Sequence, residues 1–243
     1  MIKEFVKNRI NPVLRRFGGA IVPAHEETSL QPALGRIKSR GLNVETVIDV
    51  GASDGRWSEV VMNYYPQAKY FLVEAQDVHL EKLRSFKEKN KNVDFVLAAA
   101  GAEAGEVYFD ASDPFGGVAS DDPIEGAQKV IRVPVTTIDE EVKKRDLAPP
   151  CLIKLDTHGF ELPILCGAES TLSEASVVII EVYNFVIANG AIRFHEMISF
   201  MEERGFRVAG MCDPIFRRLD GVLWQLDLVF IRKDRPEFSN NSF

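Results

Sequence analysis

The feature that most constrains this chain is a five-residue apolar run that empties into a glycine turn. Thr46-Val47-Ile48-Asp49-Val50 leads directly into Gly51-Ala52-Ser53-Asp54-Gly55, then into a helical stretch from Trp57 to Tyr65 that Pro66 ends. β-Branched apolar residues at that length suit a strand buried on both faces. Such strands belong to parallel sheets, whose crossovers are helices. The unit recurs. Tyr70–Glu74 reads as a strand, Asp77 as the cap of a helix over Val78–Lys89, and Val93–Ala100 as a third strand. Later come Cys151–Asp156 (strand), Glu161–Leu172 (helix), Val177–Val182 (strand) and Ile192–Arg204 (helix). Phe206–Met211 and Leu223–Arg232 close the chain as an antiparallel pair at one sheet edge. The pattern predicts an α/β fold. It is a Rossmann-like, doubly wound, mostly parallel sheet of seven strands with an antiparallel edge strand. Residues 41–235 form this domain. Residues 1–40 form a helical extension that includes a helix over Leu30–Arg40, and 236–243 form a polar, disordered tail.

One stretch breaks the rhythm. Gly105–Asp110 and Lys129–Val135 read as antiparallel strands, followed by a short helix over Ile138–Lys144. The Gly/Pro/Asp-rich loop Ser112–Gly126 between the strands has two readings. It covers a site, with Phe115 placed to stack on a sugar ring, or it runs free over the surface. Asp213-Pro214-Ile215-Phe216 reads as a turn.

The glycine turn carries chemistry as well as geometry. The helix after it points free N–H groups at whatever lies beyond the strand end. Glu74 closes the second strand, where a carboxylate accepts hydrogen bonds from both hydroxyls of a ribose. Gly51, Ala52, Ser53, Gly55, Glu74 and Ala75 therefore form a cradle for an adenosine-bearing cofactor, with Ala99 bordering the adenine through backbone groups. A dinucleotide site needs G-x-G-x-x-G, and its middle glycine is Ser53 here. Asp49, two residues before Gly51, would repel a pyrophosphate but suits a cationic sulfonium with a free amino group. The expected cofactor is S-adenosyl-L-methionine. The alternatives are a nicotinamide cofactor, which would make the chain an NAD(P)-dependent oxidoreductase, and a turn with no ligand.

The second informative segment is Leu152-Ile153-Lys154-Leu155-Asp156-Thr157-His158-Gly159-Phe160-Glu161-Leu162, with Gly167-Ala168 a few residues on. Upstream stands Val133-Pro134-Val135-Thr136-Thr137-Ile138-Asp139, and downstream Val178-Ile179-Ile180-Glu181-Val182. Together with the glycine turn these resemble, in order, the motifs of the FkbM family of methyltransferases. The resemblance covers residues 44–232. It implies a class I methyltransferase fold, S-adenosyl-L-methionine as cofactor, and O-methylation of sugars or polyketide-type natural products. The sequence departs at His158, where the family usually carries Glu, so no role transfers from that carboxylate. The change also keeps a non-catalytic, cofactor-binding relative as an alternative.

The residues can be read without the family. Side chains alternate along a strand, so Lys154, Asp156 and His158 project to one side. Lys154 interrupts an apolar run and needs a carboxylate partner: Asp156, Asp49 or Glu181. Methyl transfer to a hydroxyl needs an aligned acceptor and a base. His158 is the candidate base, oriented by Asp156 or Glu161, and Asp156 is the alternative. His158 is also open to readings as a structural residue at the helix start and as a metal ligand. Glu161 contacts the acceptor or stabilises the helix start.

Bulk properties narrow the partners. A net charge of −7 over 243 residues disfavours a broad nucleic-acid surface. The expected partner is a small-molecule or glycan acceptor. Cys151, Cys166 and Cys212 are scattered, as in a reduced, cytoplasmic protein, and His25, His79 and His195 show no metal-ligand spacing. Residues 1–20 carry Lys3, Lys7, Arg9, Arg15 and Arg16 against Glu4 alone, with apolar residues at helical spacing. That helix either packs on its own domain or makes a weak, peripheral contact with an anionic membrane surface. Oligomeric state is not read from the sequence.

Overall fold

The computed structural model describes Val13 and residues 27–242, so the basic segment of residues 1–20 lies outside the described residues apart from Val13. Helix α1 (Leu30–Ser39) precedes β1 (Thr46–Val50), α2 (Arg56–Met62), β2 (Lys69–Glu74), α3 (Leu80–Lys89) and β3 (Val93–Leu97). Then follow β4 (Ala99–Ala100), β5 (Gly105–Asp110), β6 (Val118–Ser120), β7 (Val130–Thr136) and α4 (Ile138–Arg145). The chain ends with β8 (Cys151–Leu155), α5 (Glu161–Cys166), α6 (Glu169–Ser173), β9 (Ala175–Tyr183), α7 (Phe194–Glu203), β10 (Phe206–Phe216) and β11 (Leu223–Arg232).

The main sheet has seven strands in the order β10-β11-β9-β8-β1-β2-β3. Neighbours from β9 to β3 run parallel, and β11 is antiparallel to both β9 and β10. This is the class I methyltransferase architecture that the sequence pattern predicts. The antiparallel strand sits one place in from the edge rather than at it. Burial explains the exchange: Leu226, Leu228, Val229, Phe230 and Ile231 of β11 are buried, whereas most of β10 is not, so the more apolar strand takes the inner place.

Strand alternation sends apolar side chains to both faces. Ile48, Val50, Ile153, Leu155 and Ile180 pack on one side; Val47, Leu72, Leu152 and Ile179 pack on the side of α1 and α3. The order reverses between β1 and β8, and a crevice opens beyond their carboxyl ends.

Several local expectations are corrected. The third strand does not run to Ala100. It breaks at Ala98, after which β4 leaves β2 and β3 to pair with β7. That starts a second, four-stranded sheet, β4-β7-β5-β6, which the sequence reading did not anticipate. The helix expected over Glu161–Leu172 is two helices. A Cβ on Gly167 would lie 2.0 Å from the carbonyl oxygen of Gly101, so the backbones touch there and the helix cannot carry a side chain through. Asp139 then caps the new start: its Oδ2 accepts from Ser170 N at 2.9 Å and its Oδ1 from Thr171 N at 2.8 Å. Asp77 caps nothing through its side chain; it opens a single 3₁₀ turn, Asp77–His79, before α3. Asp213-Pro214 is a bulge inside β10 rather than a free turn, with Asp213 at φ +48°. The tail expected to be disordered forms a turn over Pro236–Phe238, with Phe238 beneath the Arg207 guanidinium. No helix among the described residues is long and apolar enough to cross a membrane.

Candidate active site

β1 and β8 end side by side, Asp49 opposite Lys154 and Val50 opposite Leu155. Beyond them the chain turns twice, at Gly51–Gly55 and at Asp156–Gly159. The two turns flank a cleft of about 450 Å³, a size that suits a small-molecule site. Gly51 has φ +74°, and a Cβ on it would lie 2.0 Å from the carbonyl oxygen of Asp156. Any side chain there would drive the two turns apart. Each turn also holds a non-glycine residue in the left-handed region: Ser53 at φ +51° and His158 at φ +53°. Both line the cleft, the kind of place where such backbone strain is retained.

One wall is built from backbone donors. Glu74 is buried, and its Oε2 accepts from Ser53 N at 2.7 Å while its Oε1 accepts from Gln76 N at 2.8 Å. Burial pushes this carboxyl above its ordinary range despite those bonds. Ala75, Ala99 and Ala100 complete the wall. The loop after β5 is docked over it as a cover. Gln76 Nε2 donates to the carbonyls of Asp113 (3.0 Å) and Pro114 (3.2 Å), and the His79 ring nitrogen lies 2.8 Å from Pro114 O. Phe115 packs between the His79 ring, at 5.4 Å, and the Arg56 guanidinium, at 5.0 Å.

The opposite wall is built from charged side chains. Lys154 is buried and its Nζ reaches Asp156 Oδ2 (3.0 Å), Asp49 Oδ1 (3.5 Å) and the Gly51 carbonyl (3.3 Å). Burial opposes its charge, but Asp156 and Asp49 outweigh burial and hold the ammonium above its ordinary range. Burial likewise works to raise the Asp156 carboxyl, and Lys154 and then His158 overcome it, so Asp156 stays ionised. His158 Nδ1 lies 3.2 Å from the Gly117 carbonyl, while Nε2 faces Asp156 Oδ1 (3.6 Å) and Glu181 Oε2 (3.8 Å). Glu181 accepts from Tyr183 Oη and Gln225 Nε2. Burial first, and the Asp156 charge second, push its carboxyl up to about 9. One strand further along, burial pushes Asp227 up to about 7.

Buried polar atoms without partners mark where a ligand would be satisfied. Ser53 Oγ and Trp57 Nε1, both on the cleft wall, have no hydrogen-bond partner among the described residues. With the glycine cradle and Glu74, they fit an adenosine-bearing group that also carries polar substituents.

Residues 49–208 match the family model described as the methyltransferase FkbM domain. The chain belongs to the FkbM methyltransferase family. Among solved structures it is similar to an FkbM methyltransferase from Methylobacillus flagellatus KT, with 18% identity and a TM-score of 0.46; the match covers 76% of this chain and 43% of that one. It is also similar to a fibrillarin pre-rRNA processing protein from Methanococcus jannaschii, with 15% identity, 86% and 77% coverage and a TM-score of 0.49. A third is a precorrin-6y C5,15-methyltransferase from Geobacter metallireducens GS-15, with 14% identity, 84% and 87% coverage and a TM-score of 0.45. No curated protein matches.

In this FkbM methyltransferase the residues singled out from the sequence separate into two groups. Gly51, Ala52, Ser53, Glu74, Ala75 and Ala99 line the cleft, as do Lys154, Asp156 and His158. Asp49, Gly55 and Glu161 do not. Asp49 is fully buried beneath the turn, accepting from Ser58 Oγ at 2.7 Å and pairing with Lys154, so it supports the site rather than touching a ligand. Gly55 sits behind the turn at the start of α2, against Phe86. Glu161 is buried, and its Oε1 accepts from Gly159 N (3.0 Å) and Thr157 Oγ1 (3.1 Å). It braces the turn that carries His158. The sequence reading missed Trp57 and Gln76, and it took Glu181 only as a partner for Lys154. Lys154 pairs with the other two carboxylates instead. The signal for Glu181 was available: it is the one charge inside the apolar run Val177–Val182.

Proposed function

We propose that this chain is an S-adenosyl-L-methionine-dependent O-methyltransferase acting on a hydroxyl of a sugar, a glycan or a natural product. The observation that carries the reading is one cleft joining the Gly51–Ser53–Glu74 cradle to the Asp156–His158 pair. The cofactor, when bound, supplies an electrophilic methyl group on a cationic sulfonium. Glu74 is the ribose acceptor, Ala99 and Ala100 border the adenine, and Ser53 Oγ and Trp57 Nε1 supply two further polar contacts. Lys154 keeps Asp156 ionised at the far end, where a carboxylate favours a cationic ligand. The Gly117 carbonyl can only accept, so His158 donates from Nδ1, and Nε2 is the ring nitrogen left to face the acceptor. Nε2 takes the acceptor's proton, with ionised Asp156 beside it to stabilise the imidazolium. The docked loop around Phe115 covers one side of the cleft. A net charge of −7 suits a small neutral acceptor better than a nucleic acid.

The deciding experiment is calorimetric titration with S-adenosylhomocysteine, with NADH and NADPH as controls, on the wild type and Glu74→Ala. Micromolar binding of the homocysteine compound alone, weakened at least about tenfold in the variant, is expected from a lost pair of ribose hydrogen bonds. Binding of a nicotinamide cofactor instead, or no binding, overturns the reading.

A further inference from the structure

The Asp156–His158–Glu181 cluster brings three side chains with ligand atoms together, just beyond β8 and on β9. His158 Nδ1 is committed to the Gly117 carbonyl, so Nε2 is the ring nitrogen that faces the cluster. There it meets Asp156 Oδ1 at 3.6 Å and Glu181 Oε2 at 3.8 Å, two further electron-rich atoms. These separations are too long for hydrogen bonds. They are close to the spacing of two ligands that share one cation, roughly 3–3.8 Å for bonds of about 2.1–2.3 Å. The three ligand atoms all lie within 4.8 Å of one another. Each donor is also held from behind, as metal ligands are. Gly117 orients the imidazole, Tyr183 and Gln225 orient Glu181, and Lys154 holds Asp156 through Oδ2, leaving Oδ1 to face the cluster. Asp49 and Asp156 already share the single ammonium of Lys154, so that charge is taken before Glu181 joins the cluster.

We propose that Asp156 Oδ1, His158 Nε2 and Glu181 Oε2 form a facial site for a divalent cation of the Mn²⁺ type, open on the cleft side. One imidazole and two carboxylates suit a metal that accepts both nitrogen and oxygen donors. The role of the site rests on the O-methyltransferase reading. The cation holds the acceptor oxygen, lowers the pKa of its proton and places it at the end of the cofactor cradle. His158 then serves as a ligand, and the proton that the polarised acceptor loses passes to solvent water on the open, cleft side of the site.

The test uses the full chain, stripped with EDTA and titrated with Mn²⁺, with free Mn²⁺ read by electron paramagnetic resonance and no acceptor present. One Mn²⁺ per chain is expected. His158→Ala and Glu181→Gln weaken it at least about tenfold, while His158→Glu, which restores a carboxylate, keeps it within a few-fold. No binding, or binding that both deletions leave unchanged, overturns the site. S-adenosylhomocysteine titrations on the same samples report an intact cleft in each variant. They also separate the two claims. Homocysteine binding without Mn²⁺ removes the cation site alone, and Mn²⁺ binding without the homocysteine compound removes the methyltransferase reading alone. Should His158→Ala lose the cleft, Glu181→Gln and His158→Glu decide.

Discussion

The turn after β1 and the turn after β8 are mirror-placed across the same crevice, yet they are built on opposite principles. In the first, the one carboxylate at the cleft, Glu74, is satisfied by two backbone N–H groups of its own chain. Its geometry is settled before any ligand arrives. In the second, Lys154 holds one oxygen of Asp156, while the other oxygen and Glu181 face His158 Nε2 at separations too long for hydrogen bonds. A binding surface gains from being finished in advance, because a pre-organised site loses less on binding. A reacting surface gains from groups whose proton affinities have been displaced, because those are the groups that respond to substrate. Lys154 touches both regions, through the Gly51 carbonyl and through Asp156.

The largest effect should therefore come from Lys154→Met. The substitution strands Asp49, which is fully buried, with Ser58 as its remaining partner. Breaking a buried pair costs about 3–5 kcal/mol. A fall of that size in urea unfolding is expected, with loss of both S-adenosylhomocysteine binding and turnover. The double variant Lys154→Met/Asp49→Asn should recover part of the stability. A single variant as stable as the wild type would mean that the two turns do not depend on this bridge.

His158→Gln sharpens the comparison from one side. Turnover should fall about 10²-fold, as for the loss of a group that handles the acceptor's proton. S-adenosylhomocysteine affinity should stay within a few-fold, since the Glu74 wall is untouched. Loss of cofactor affinity of the same size would show that the two turns are one unit, not two.

The same contrast explains what was legible in the sequence. The β1 turn is a local object: strand, glycines and helix follow one another, and backbone groups do most of the work, so Gly51, Ser53 and Glu74 could be named from spacing. The other turn is assembled across strands. Lys154 and Asp156 are visible as charges in an apolar run, but that His158 faces Glu181 depends on β8 pairing with β9, and Gly117 arrives from a loop 41 residues away. The second sheet was hidden for a related reason. Val93–Ala100 is one apolar run, and nothing in its composition marks Ala98 as the point where it changes partners. Glu161 keeps two readings because a carboxylate at a helix start looks the same in sequence whether it faces a ligand or braces a turn. Only its burial and its bonds to Gly159 and Thr157 separate the two.

The smallest expected effect lies at the outer end of the charged row. Asp227 pairs in register with Glu181 and Cys212, and burial raises its carboxyl from 3.8 to about 7. The sign follows from linkage. The folded state binds this proton more tightly than the unfolded one. The stability that the proton contributes is complete below about pH 3.8 and is lost as pH rises through about 7. In the wild type, part of the decline in thermal midpoint between pH 5 and pH 8 therefore belongs to Asp227. Asp227→Asn keeps the shape and removes the titration, so its midpoint should change less over that window, and the variant should gain on the wild type most at pH 8. Cofactor affinity should not move, because Asp227 does not reach the cleft wall. If the two proteins instead lose stability in parallel from pH 5 to pH 8, the carboxylates of this region are compensated after all. The contrast between a finished wall and an unfinished one would then hold only for the residues that touch the cleft.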